Sequence, residues 1–153
     1  MIGALLWLAL QGTAPPPAAQ PVEFSHRRHA ASGMQCVFCH PTARKAEAAG
    51  LPDAALCLGC HRALPARGAA VETLARWDEA REAIPWARVY RLPSFVFFSH
   101  ERHSTAACAV CHGPVERRDV LAREGNISMK ACVDCHKAKR APVRCNLCHE
   151  IER

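Results

Sequence analysis

The residues able to do chemistry come in one repeated unit. All ten cysteines of this 153-residue chain fall in five pentapeptides of the form Cys-x-x-Cys-His. In chain order these are site 1 (Cys36, Cys39, His40), site 2 (Cys57, Cys60, His61), site 3 (Cys108, Cys111, His112), site 4 (Cys132, Cys135, His136) and site 5 (Cys145, Cys148, His149). Two thiols three positions apart can form thioethers with the two vinyl groups of a haem, and the adjacent imidazole is then carried onto the iron. This is the attachment signature of c-type haem. Zinc ribbons also use Cys-x-x-Cys pairs but do not require His beside every second Cys. A disulfide framework explains neither the spacing nor the histidine. The expectation is five covalently attached haem c groups.

Five of the nine histidines are used this way, which leaves His26, His29, His100 and His103. They form two His-x-x-His pairs within a repeated hexapeptide: Phe24-Ser25-His26-Arg27-Arg28-His29 returns as Phe98-Ser99-His100-Glu101-Arg102-His103. Two imidazoles three residues apart on one helical turn can reach two neighbouring haems and hold them close together. Four distal histidines serve four irons, and the fifth is one short.

The elements that must position these groups are modest. Apolar residues make up 50%, but that share includes the cysteines and many alanines, and Phe, Trp and Tyr together reach only 6%. A thick core of side chains is excluded. Eleven Pro and eight Gly, scattered without period, exclude collagen, long coiled coils and a large sheet. The expected fold is mainly irregular with short α-helices, compact, and built as two haem-bearing lobes whose haems form the core. The expected organisation is 1–21 as a leader and linker, 22–65 as a dihaem lobe, 66–94 as a helical connector and 95–153 as a trihaem lobe.

Residues 2–10 are an apolar run too short to span a bilayer, where about 20 are needed. The run reads as the hydrophobic part of a secretory signal, as a membrane anchor, or as a buried helix. Pro15-Pro16-Pro17 and its surroundings read as a linker. In the connector, Val71, Leu74 and Trp77 share a face and Glu72 and Arg76 stand at i, i+4, predicting a helix from Ala69 to Ile84 ended by Pro85. Pro52 and Asp53 predict a helix start just before Cys57. Trp86, Tyr90 and Phe95 to Phe98 could shape a haem pocket or a docking face and read more readily as core packing.

Phe-x-His-x-x-His ahead of closely spaced Cys-x-x-Cys-His motifs resembles the class III cytochromes c, and residues 98–149 are similar to the trihaem type. The resemblance implies that the first His of a pair serves the nearest haem and the second the next site. Carried over, His100 goes with His112, His103 with His136, His26 with His40 and His29 with His61. It also implies a further His upstream of the second site of the trihaem pattern; Ser128-Met129-Lys130 stands there instead, and Met129 becomes the candidate for the iron of site 5. Met34 is the rival and reads more readily as a gap-filling core residue, with an open or water-ligated iron as the remaining alternative. A narrower resemblance begins at Trp86-x-x-Val89-x-x-Leu92-Pro93-x-x-Val96-x-Phe98-x-His100 and includes Leu56-Cys57-Leu58-Gly59-Cys60-His61. It is to the pentahaem subunit of alternative complex III, a membrane quinol-oxidising assembly, and it supports a Met at the remaining iron.

The formal charge of +6 falls to roughly +1 oxidised or −4 reduced once about ten haem propionates and five ferric centres are counted. A nucleic-acid role for Arg27-Arg28, Arg117-Arg118 and Lys137 to Arg140 thereby loses its support. Bis-His ligation closes both faces of a haem, while Met in place of His raises the potential. The expectation is a periplasmic electron carrier rather than an enzyme, working with redox-protein partners and part of, or partner to, a quinol-oxidising membrane complex, with membrane association through the amino terminus or a partner. The alternative is a multihaem reductase with an open axial position on the fifth haem; a structural haem scaffold is the third reading.

Overall fold

The computed structural model describes residues 19–64 and 68–150. The amino-terminal apolar run and most of the Pro/Ala linker lie outside the described residues, as do 65–67 and 151–153 at the ends of the two expected lobes. Among the described residues the elements are short: α1 (His26–Ala31), α2 (Cys36–Cys39), α3 (Ala54–His61), α4 (Ala69–Ala80), α5 (Cys108–His112) and α6 (Met129–Ala138). Three 3-10 turns join them, at Glu101–His103, Val115–Arg117 and Cys145–Leu147. A single isolated antiparallel bridge pairs Val96 with His149. No helix of the described residues is long and apolar enough to cross a membrane.

The helices start where local chemistry dictates. Ser25, Asp53 and Ser128 cap α1, α3 and α6, each side chain accepting the backbone N–H three residues on, which satisfies a donor that the first helical turn leaves without a partner. The start predicted at Asp53 is therefore present. The helix predicted to run to Ile84 instead stops at Ala80. Arg81 adopts a left-handed conformation (φ 54°), with Arg81 N–H bonded to the Asp78 carbonyl and Glu82 N–H to that of Trp77. That pattern is a Schellman closure with Arg where Gly is usual, and it turns the chain so that Ile84 is buried. Arg76 donates to the Thr73 hydroxyl rather than turning to Glu72.

The polypeptide's own core is thin. Val22, Ala54, Leu58, Leu74 and Ile84 are the buried hydrophobic residues, with Trp77 and Trp86 packed beside them. They lie where α3 packs on α4, so the one conventional core among the described residues supports site 2. Trp86 pins the same region by donating from Nε1 to the Pro52 carbonyl (3.0 Å). Elsewhere large apolar side chains are exposed: Val37, Phe38, Val110 and Leu147 lie within site pentapeptides, and Met34, Phe95 and Phe97 stand close by. The aromatics read as core packing thus divide, with Trp86 partly buried and Phe95 and Phe97 at the surface of the polypeptide.

The halves that carry sites 1–2 and sites 3–5 are interlocked. Arg27 N–H donates to the Arg118 carbonyl, Ser25 Oγ donates to Asp119 (2.6 Å), and the Arg27 guanidinium bridges Asp119 at 2.5 Å. In the other direction, His100 and Glu101 N–H donate to the carbonyls of Glu47 and Ala46, both at 3.0 Å. Arg44 adds a bond to the Ser104 carbonyl.

Candidate functional site

Each His-x-x-His pair is set by its own hexapeptide. Phe24 lies edge-on to His26 (4.8 Å, 87°) and stacked on His29 (4.4 Å, 24°); Phe98 repeats this with His100 (4.8 Å, 88°) and His103 (4.6 Å, 24°). His29 and His103 each place Nδ1 2.8 Å from the backbone carbonyl of the serine four residues back, Ser25 and Ser99. A carbonyl only accepts, so Nδ1 carries the proton and Nε2 is the free lone pair. The same holds for His40 against Gly50 (2.8 Å), His100 against Glu47 (2.8 Å) and His136 against Pro142 (2.7 Å). Such bonds fix the tautomer and aim a ligating imidazole.

The imidazole rings stand in pairs. Ring centroids stand 6.0 Å apart for His29 and His61, 6.3 Å for His100 and His112, and 5.9 Å for His103 and His136. With a metal–imidazole bond of about 2.0 Å and Nε2 about 1.2 Å from the ring centre, two imidazoles on opposite faces of one metal stand about 6.3 Å apart. All three separations fit that requirement within about half an ångström. His26 completes the set beside His40: burial, followed by the fields of His40 and His29, pushes it down to about 4. His112 is lowered too, first by burial and then by His100 and His40. Both rings are therefore held neutral, the form in which imidazole binds metal.

All ten cysteines are free thiols, and among the described residues no three His, Cys, Asp or Glu side chains converge as a single metal-holding group. The donors are laid out as Cys-x-x-Cys pairs beside paired imidazoles. Burial, followed by the field of Cys108, raises the thiol of Cys36. Cys39 lies in the field of Cys60, and Cys57 in that of Cys39. Cys111 stands near Cys132 and Cys135, and Cys132 near Cys148.

No protein-family model matches the chain. Over 100 residues it is 35% identical to the menaquinone reductase multiheme cytochrome c subunit of Nitratidesulfovibrio vulgaris (strain Hildenborough), a stretch that covers 64% of this chain and 48% of that protein. The chain is similar to a multihaem cytochrome c. It spans about half the length of the curated relative it matches.

Site 5 differs from the others. His149 is tied by the Val96 bridge, Phe97 N–H donates to the Cys148 carbonyl, and the Phe95 ring lies 5.8 Å from His149. Among the described residues no other histidine ring lies against that of His149. Met129 is the first residue of α6 and is 68% exposed, and it lies one turn before Cys132 on the same face, the cysteine that neighbours Cys148 of site 5. Met34, 36% exposed, lies between α1 and α2.

Three positioning residues carried no motif. Tyr90, the single tyrosine, donates its hydroxyl to the His112 carbonyl (2.8 Å) and accepts from the N–H groups of Glu124 and Gly125, locking segment 124–125 under site 3. Gly125 lies so close that a Cβ there would meet the Cys111 carbonyl oxygen at 1.7 Å. Gly50 presents its carbonyl to His40 only by adopting φ 74°. Tyr90 was read from the sequence chiefly as core packing, and it is its hydroxyl that acts here; the two glycines act through their backbones.

Proposed function

We propose that the chain is a periplasmic pentahaem c-type cytochrome, part of or partner to a quinol-oxidising membrane complex. Each Cys-x-x-Cys pair holds one haem by thioethers and its following His provides the proximal ligand. His26, His29, His100 and His103 provide distal ligands opposite His40, His61, His112 and His136. Met129 serves opposite His149. The observation that carries the reading is the set of three imidazole pairs 5.9–6.3 Å apart, each including the histidine of a Cys-x-x-Cys-His site.

Bound haem supplies one-electron chemistry. The chain's residues decide what that chemistry does. Two imidazoles per iron leave no face for substrate, and Nδ1 bonds to backbone carbonyls hold the ligands rigid, so little rearranges when charge changes. A thioether at site 5 makes that site the higher-potential one, the natural destination of electrons donated by a quinol-oxidising partner. The requirement of c-type attachment supports an exported location, and the quinone-linked name of the relative accords with it.

The exposure of Met129 favours one second reading, a reductase whose fifth iron is open. A single sample tests both. Intact mass of the purified protein should equal the polypeptide plus five haems, and the ferric spectrum should show the charge-transfer band of a His/Met haem that Met129→Ala removes. Thiols found free, zinc-bound or disulfide-paired would overturn the haem reading. Rapid carbon monoxide binding at one haem of the unaltered protein would replace the carrier by the reductase.

A further inference from the structure

The clasp between the halves fixes which sites are neighbours. Loop 46–50 serves two of them at once: the Gly50 carbonyl aims His40 of site 1, and the Glu47 carbonyl aims His100, which faces His112 of site 3. Backbone bonds from His100 and Glu101 to Glu47 and Ala46 make this junction rigid, and the reciprocal contacts of Ser25 and Arg27 with Asp119 close its other side. The first cysteines of the two sites, Cys36 and Cys108, lie within each other's field at this junction.

The remaining links are local. One turn of α1 sends His26 and His29 toward His40 and His61, joining sites 1 and 2. The turn at Glu101–His103, with His100 before it, joins sites 3 and 4 through His112 and His136 in the same way. Site 5 is tethered by Phe97 to the segment just ahead of that turn, with Cys148 beside Cys132 of site 4.

From these contacts we infer that the five sites neighbour one another in the order 2, 1, 3, 4, 5 rather than in chain order, with loop 46–50 as the central junction and sites 2 and 5 as the two ends. The inference rests on the haem reading above. Val22, the start of the core, packs with Leu58 of site 2, so the described chain enters at the site 2 end.

The test reads charge between neighbours. In His26→Met the iron of site 1 gains a thioether and stays reduced while the others titrate, so a positive charge is missing beside its neighbours. Unit charges about 12 Å apart change each other's redox equilibrium roughly tenfold at an effective dielectric of about 20, and screening leaves under about twofold at twice that distance. Haem-resolved NMR titration should show sites 2 and 3 both easier to oxidise by roughly tenfold, and sites 4 and 5 nearly unchanged. A shift at site 2 without one at site 3 would overturn the order while leaving the ligand reading intact. Absence of a new His/Met signature would overturn the role of His26 and the order with it. His100→Met provides the same test from the other side of the junction, with sites 1 and 4 expected to shift and a shift at site 4 alone sinking the proposal.

Discussion

The two hexapeptides, Phe24 to His29 and Phe98 to His103, hold their rings alike on different scaffolds. Ring distances and angles agree within a few tenths of an ångström and about one degree. Yet the first pair rides on a six-residue α-helix capped by Ser25, while the second spans a 3-10 turn. Their anchors differ in balance. The first combines one backbone bond, from Arg27 to Arg118, with side-chain bonds from Ser25 and Arg27 to Asp119, while the second rests on two backbone bonds, to Ala46 and Glu47. The ring triad is thus a property of Phe-Ser-His-x-x-His itself, whereas its seat is non-local. Arg27 stands where the second copy has Glu101, so the salt bridge to Asp119 has no equivalent there.

The largest expected effect separates the glycines under the two junction sites. Gly125→Ala places a methyl group into the Cys111 backbone, which cannot yield, and should cost about 3 kcal/mol or more of stability. Gly50→Ala meets the positive φ and the Thr42 hydroxyl at 2.9 Å, a side chain that can rotate, and should cost about 1–2 kcal/mol. Denaturant midpoints of the two variants measure the difference, and equal losses would contradict the asymmetry.

A smaller contrast lies in the serines. Ser25→Ala removes both the α1 cap and a donor to Asp119 and should cost about 1 kcal/mol. Ser99→Ala loses only a long bond from Arg102 N–H at 3.4 Å, worth a few tenths of a kcal/mol at about the weak limit of such contacts. Thermal melts of both variants compare them directly.

The smallest effect is an acid response confined to the first anchor. The bonds that Ser25 and Arg27 make hold the Asp119 carboxyl below its usual range. A folded value below the unfolded one means that its contribution is complete above about pH 4 and fades as pH falls through the lower folded value. The melting curves of the unaltered protein and Asp119→Asn should therefore differ near neutrality and converge in acid.

Much of the site could be read from residue types. Five Cys-x-x-Cys-His units and two His-x-x-His pairs are written in side chains, and in three of the four pairings carried over by resemblance the two rings lie 5.9–6.3 Å apart. The start of α3 was legible because Asp before an apolar run is a cap signal. Its neighbour α4 was read four residues too long, since Arg81 closes the helix in a conformation for which Gly is the usual mark and Pro85 was the only visible stop. The hold on the imidazoles was illegible for a related reason: Gly50, Glu47, Pro142, Ser25 and Ser99 all act through backbone carbonyls, which every residue possesses. Asp119 was silent because its partners lie about ninety positions away.

That separation sets an order of events. Ser25 and Asp119 are 94 residues apart, and a contact of such span forms late because the intervening chain must first be gathered in. A polypeptide emerging from its amino end would expose the first two pentapeptides, unlatched and reachable, until residue 119 arrives to shut the clasp. The interlock thus leaves an interval in which the first half of the chain is folded only against itself.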